Sequence, residues 1–368
     1  MSGRQVSLEE VVAGLSSEAR LSQAAEARAG ALLEHLQSVQ PWYVRAMVGF
    51  GAWLASLFVI GSVAGIGIAV GGVTLLGIGL VVAAVALRKQ SDNDFLVQSA
   101  LAGSLAGQAM LAWGIADLTG GNEELLCAMI IAISAVLFFV FPDRIHRVLS
   151  VLFAASALTA LIYLLEMNAL VPVLGPAFAG ALVMVQEKRS RLIAGGFGEL
   201  VRPLENGLML SAFGCLMLST VYVLPELGLD FVVYPRPWIS TVLLGALFLY
   251  VGSRTWPPLL EHAGKAAAPG VYALMVLVIA VAWAVPGLLL ALIVVMLGAA
   301  TGNRSFVGAG IAFLTLFITA YFYAIETTML TKSITLIATG ATILLARSVL
   351  LHLLSPAPAG ARHAGDPA

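Results

Sequence analysis

Few side chains in this 368-residue chain are of a type, and in a place, to do chemistry. Glu326 and Lys332 stand close together in Tyr323-Ala-Ile-Glu-Thr-Thr-Met-Leu-Thr-Lys332, between two long apolar runs. A charge at the centre of a bilayer costs about 2.5–3.5 kcal/mol even on insertion scales. The favoured reading of the pair is a loose ion pair at the water interface, and the alternative is the lining of a polar entrance. Glu205 and Asn206 follow Pro203 at the start of another apolar run. An acid there complements the partial positive charge of a helix N-terminus, so capping is the favoured reading and a ligand contact the other. Gln98 and Gln108 share a third run and differ by roughly 80° around a helix. They are placed to bond neighbouring helices, or a polar ligand.

The remaining candidates point to no reaction. Cys127 and Cys215 lie inside apolar stretches, far apart and too few for a zinc site or a disulfide framework. His35, His146, His262, His352 and His363 fall near charged segments rather than in mid-run, which reads as loop solvation. No H-E-x-x-H, G-x-S-x-G, Walker or paired-cysteine motif is present. The sequence therefore predicts no enzyme, no cofactor and no metal.

The elements that would hold these residues follow from composition. Hydrophobic residues make up 60% of the chain, charged ones 11%, and mean hydropathy is +0.98. Soluble domains carry about 25% charged residues. This much apolar surface needs a hydrocarbon solvent. A formal net charge of −1 provides no field to attract nucleic acid.

Residues 1–44 read as a cytoplasmic amphipathic helical segment. Ser7 and Glu10 fit a capping box, and Leu8, Val11, Val12 and Leu15 recur at helical spacing behind it. Pro41-Trp42-Tyr43 suits a membrane surface. The first long apolar run begins near Ala46, too late for a cleaved signal peptide. Residues 45–354 form the polytopic domain. A span needs about 20 residues, and on that ruler 46–87 divides in two with a turn near 64–72. The further spans are 95–116, 125–141, 148–165, 169–185, 204–224, 238–253, 271–285, 287–301, 305–323 and 331–354. Residues 355–368 read as a disordered cytoplasmic tail. The predicted fold is thus all-α, an integral membrane bundle of about twelve transmembrane helices with both termini inside.

Basic residues test this division, because short cytoplasmic loops keep the excess of positive charge. Only Arg236 and Lys332 fall outside, leaving seventeen of the 19 Lys and Arg inside. The weakest boundary is Pro286-Gly287, where the flanking segments are short and a proline-kinked single helix is the alternative. A single helix would put Arg304, Arg347 and Arg362 outside and Lys332 inside, so two spans are preferred. Small residues four apart, as in Gly61/Gly65, Gly67/Gly71, Gly103/Gly107 and Gly298/Gly302, predict close helix approach.

Several segments together carry a family resemblance: Pro41-Trp-Tyr-Val-Arg45 leading into Gly49-Phe-Gly-Ala-Trp53, Ser104-Leu-Ala-Gly-Gln-Ala109, Gly302-Asn-Arg304, Tyr321-Phe-Tyr323 and Lys332-Ser333. Over residues 41–354 the chain resembles a bacterial family of polytopic inner-membrane proteins classed as a domain of unknown function. The resemblance implies a bacterial inner-membrane location and an association with small membrane proteins bearing a GDYXXLXY motif. It implies no activity and no site residues.

The expected function is a membrane interaction or assembly component, because no span repeats the charges of an ion-coupled carrier. The alternative is a transporter or permease for a small solute. Expected partners are the lipid bilayer, a small membrane protein and such a solute, with nucleic acid excluded.

Overall fold

A computed structural model describes residues 72–90, 93–221, 236, 238–255 and 267–324, with isolated helical positions at 47, 50, 51, 54, 58, 61, 62, 65, 330, 333, 334, 337, 344 and 348. Residues 1–44, the tail 355–368, Glu326 and Lys332 lie outside the described residues. Within them all regular structure is helical.

The chain divides into two compact units at Gly114. In the first, α1 (Val73–Gln90) pairs with α2 (Asp94–Leu118) as an antiparallel hairpin. Glycines let the backbones touch. A Cβ at Gly107 would stand 2.9 Å from the Gly77 carbonyl oxygen, and one at Gly114 would collide with Thr74. Gly103 makes only ordinary contact with Ala84 and Leu80. Both residues of the Gly103/Gly107 pattern thus face α1, with the closest approach at Gly107 against Gly77.

The second unit contains α3 (Glu123–Val140), α4 (Arg144–Leu164), α5 (Val171–Glu187), the one-turn α6 (Arg189–Leu192) and α7 (Gly198–Val221). It continues with α8 (Trp238–Thr255), α9 (Ala267–Val281), α10 (Pro286–Thr301) and α11 (Arg304–Ala324). Its core is apolar and aromatic. Leu289, Leu290 and Ile293 are fully buried, and Phe213 stacks on Phe313 with centroids 3.7 Å apart.

Two prolines shape these helices, and their effects are traceable. Pro176 has no N–H, so it cannot bond the Pro172 carbonyl one turn earlier in α5. Ser240 Oγ donates to that carbonyl instead, at 2.5 Å. The helix carrying Ala267–Val281 tightens into a 3₁₀ turn at Ala282–Ala284, and Val285 is non-helical at φ −132°, ψ 79°. Pro286 then occupies the first turn of α10, where a missing N–H costs nothing. Thr241 Oγ1 donates to the Trp283 carbonyl at 2.9 Å, satisfying one of the acceptors the break exposes.

Contacts along the helices fix their directions. Thr241 meets Trp283 while Gly252 lies against both Met275 and Met296, so α9 runs against α8 and α10 runs with it. The chain therefore reverses at 282–285, and Pro286-Gly287 opens the second of two helices rather than kinking a single one. Likewise Gly207 lies on Val151 and Cys215 on Thr159, so α4 and α7 are parallel. Pro172 meets Ser240 and Glu187 meets Tyr250, so α5 and α8 are parallel too. Two ends result for this unit. One gathers Arg144, Arg147, Lys188, Arg189, Arg191, Arg202, Arg254 and Arg304; of the basic residues described there, Arg236 alone stands toward the opposite end.

Six of the described helices are long and apolar enough to cross a bilayer by length and composition, and shorter apolar helices accompany them. Their outward faces are apolar as well, with Leu75 76% and Phe139 65% exposed. Large exposed apolar side chains in this number mark a surface that meets hydrocarbon rather than water. The chain is a helical membrane protein.

Candidate functional site

The basic end contains a polar pocket of about 360 Å³. Four segments, well separated in sequence, each bring one arginine to it. Arg144 opens α4, whose first turn is fixed by Asp143 accepting from the His146 N–H at 2.9 Å. Arg189 opens the single turn α6, after which the chain passes through Gly196 at φ 85° into α7. Arg202 lies near the start of α7. Arg304 opens α11, immediately after Gly302 ends α10 in the left-handed conformation at φ 66° and Asn303 accepts from the Ser305 N–H at 3.1 Å.

Glu205 forms the floor. Its side chain is 2% exposed, and Oε2 stands 3.9 Å from an Arg189 nitrogen, beyond hydrogen-bond reach. Oε1 is buried without a hydrogen-bond partner. Attraction between unit charges at that distance is about 4 kcal/mol at an effective dielectric near 20. Desolvating a buried ion costs several kcal/mol. The two figures are of similar size, so the carboxylate gains little from Arg189 alone. Four guanidinium groups against one carboxylate leave a formal excess of positive charge at the lining. Asn206, Thr301 and Ser305 add neutral polar groups at the rim. Arg147 lies outside the pocket, 3.8 Å from Glu199.

A larger cavity of about 760 Å³ opens between α3, α4 and α7. Cys127 and Cys215 both line it as free, buried thiols, and Thr159 lies 3.6 Å from the Cys215 sulfur. Glu123, Ser156, Tyr163 and Ser211 also line it, yet its surface is mainly apolar. The Thr159 and Ser211 hydroxyls are spent on carbonyls one turn back on their own helices. Among the described residues, no group of three or more His, Cys, Asp or Glu is placed to hold a metal.

Two readings from the sequence change here. Glu205 is not at a helix start: α7 begins at Gly198 and runs through Pro203, so the first-turn acid is Glu199. A proline was read as the boundary, yet near a helix start it removes a single backbone bond and leaves the helix intact. His146 is not loop-solvated. It is 1% exposed, stacked on Phe141 with centroids 4.1 Å apart, with Nδ1 3.3 Å from Ser150 Oγ.

Of the other described candidates, neither Gln98 nor Gln108 lines the pocket. Gln98 and Gln108 are half-buried on α2, in the other unit. The Gln108 amide donates to the Ser104 carbonyl, one turn back on its own helix, at 3.3 Å. Sequence reasoning missed Arg144, Arg189, Arg202 and Arg304 as site residues. It had sorted all four to one side of the membrane, which was the available signal, but it gave no means of bringing them to one point.

The family described as Domain of unknown function (DUF4401) matches residues 41–353. No curated protein and no solved structure matches the chain.

Proposed function

The chain belongs to the family of domains of unknown function DUF4401, and from that premise we propose that it is a twelve-span protein of the bacterial inner membrane that binds a small anionic solute at its cytoplasmic end. The observation that carries this reading is the polar pocket in which Arg144, Arg189, Arg202 and Arg304 surround the buried Glu205. Guanidinium groups are planar, permanently charged forks suited to carboxylate and phosphate oxygens. Charges gathered this closely repel one another, and a bound anion relieves that repulsion. We assign the basic end to the cytoplasm by the same excess of Arg and Lys that sets orientation in short loops; a twelve-span chain would then have both termini inside.

The assembly role that the sequence favours rests on the lack of repeated charges within the spans, and the segment it would use for docking, residues 1–44, lies outside the described residues. The pocket adds an observation on the solute side, and the transporter or permease reading follows from it as the class of protein that binds solutes between spans.

Two measurements test the proposal. Single cysteines replacing Lys188 or Arg191 are expected to react with impermeant reagents only from the cytoplasm, and one replacing Gly121 only from the periplasm. The opposite pattern would overturn the orientation. For the site, purified full-length protein in a neutral detergent is expected to gain thermal stability with added oxyanions, since a ligand that binds only the folded state stabilises it. The triple variant Arg144→Gln, Arg202→Gln, Arg304→Gln is expected to lose that gain. A parent protein indifferent to phosphate, sulfate and citrate would sink the anion reading.

A further inference from the structure

Resting on that reading, we infer that the pocket is selective for phosphate that still carries a P–OH group, and that Glu205 is the residue that selects it. An anion site made only of arginines accepts any small oxyanion of suitable size. This one has a carboxylate at its floor, and that carboxylate has a specific need. Glu205 Oε2 is the carboxylate oxygen left with access to the pocket, and it has no hydrogen bond, the Arg189 nitrogen beside it standing 3.9 Å away; Oε1 is shut in and likewise has no donor. A buried acceptor left unpaired is expensive, and nearly all such groups in folded proteins have a partner.

The four arginines supply donors and Glu205 supplies an acceptor. The complementary ligand is an oxyanion with several acceptor oxygens and one hydroxyl. Inorganic phosphate fits, because it keeps at least one P–OH at neutral pH. Sulfate has the same shape and no proton to give. Placed in the pocket, a sulfate oxygen would face a carboxylate oxygen, leaving two acceptors opposed in a low-dielectric site. Discrimination of this type rests on the unpaired group rather than on size.

Two sources present this chemistry at a membrane surface: free phosphate, and a phosphomonoester lipid headgroup in its singly protonated form. A phosphodiester headgroup has no P–OH and is rejected on the same argument.

The test uses the full-length protein, purified in a phosphate-free neutral detergent, with binding of inorganic phosphate followed by calorimetry. Sulfate is the competitor. The expected result is that phosphate binds on the order of tenfold to a hundredfold more tightly than sulfate, the factor that goes with leaving one buried acceptor unpaired. In Glu205→Gln an amide N–H can donate to either anion, so the preference is expected to fall to within about threefold. A second arm compares nanodiscs containing phosphatidic acid with nanodiscs containing phosphatidylglycerol. Retention of phosphatidic acid alone, with no response to free phosphate, assigns the same site to the lipid and supports the inference. Equal binding of phosphate and sulfate by the parent protein overturns the role of Glu205 while leaving the anion site standing. Binding of no anion in either arm overturns both. The parent comparison needs no variant, so a Glu205→Gln protein that fails to fold leaves the inference falsifiable.

Discussion

The two ends of the 115–324 unit handle polar groups in opposite ways. At the end near Trp238, the carbonyls exposed by proline are each met by a hydroxyl: Ser240 on Pro172 and Thr241 on Trp283. At the basic end, the carboxylate of Glu205 retains an unmatched oxygen and four arginines converge around a cavity. Both ends are built from the same kind of apolar helix, so composition does not separate them. The difference lies in charge. At the first end the carbonyls freed by proline are neutral and met by hydroxyls, although Asn168 Oδ1 beside them is buried without a partner. The basic end instead sets four guanidinium groups and one carboxylate around a cavity, an arrangement suited to an anion. The first end is structural, and the second is where a solute is expected.

The sharpest way to break the comparison is at the first end. A Cβ at Gly287 would stand 2.4 Å from the Phe317 ring, a contact no real Cβ makes. Gly287→Val is expected to cost about 3 kcal/mol or to abolish folding, read as a collapse of the monodisperse peak in detergent. Next in size is Ser240→Ala. It strips the donor from the Pro172 carbonyl and is expected to cost about 1–3 kcal/mol in thermal denaturation. Pro176→Ala restores a backbone N–H there, so the double variant should recover much of the loss. A fully additive double variant would show that the hydroxyl is not substituting for the proline.

The smallest stability effect belongs to the basic end. Arg202 and Arg304 are both exposed, and Arg202→Gln or Arg304→Gln should change anion-free stability by less than about 0.5 kcal/mol. Each is nonetheless expected to weaken phosphate binding by about tenfold, with a reduced dependence on ionic strength. Large destabilisation without loss of binding would mean that the arginines hold the fold together, and the contrast between the two ends would fail.

Much of this architecture could be read from sequence, and the parts that could not have a common cause. Apolar runs bounded by charge place the helices within a few residues, as at α8 and α10, because the bilayer imposes one length and one polarity on every crossing. The reversal before Pro286 was also legible, through the sidedness of Arg304. The start of α7 was not, because Pro203 reads locally as a boundary and only the preceding turn through Gly196 shows where the helix begins. His146 was missed for a similar reason, since its burial depends on Phe141 folding back across it. The pocket is the extreme case. Periodicity places residues on faces of one helix, whereas Arg144, Arg189, Arg202 and Arg304 meet only after several reversals of the chain. Glu205 was singled out correctly as a polar residue of interest, but as a cap rather than as a floor.

The bond from Ser240 to the Pro172 carbonyl has a consequence for inheritance. Either change alone is a loss at position 240 and a redundancy at position 176. A lineage that regained an ordinary residue at 176 would free position 240 to drift toward alanine. One that kept the proline would be held to serine, or to threonine, for as long as α5 packs on α8. The two positions are therefore expected to vary together among relatives of this chain, although 64 residues separate them in sequence.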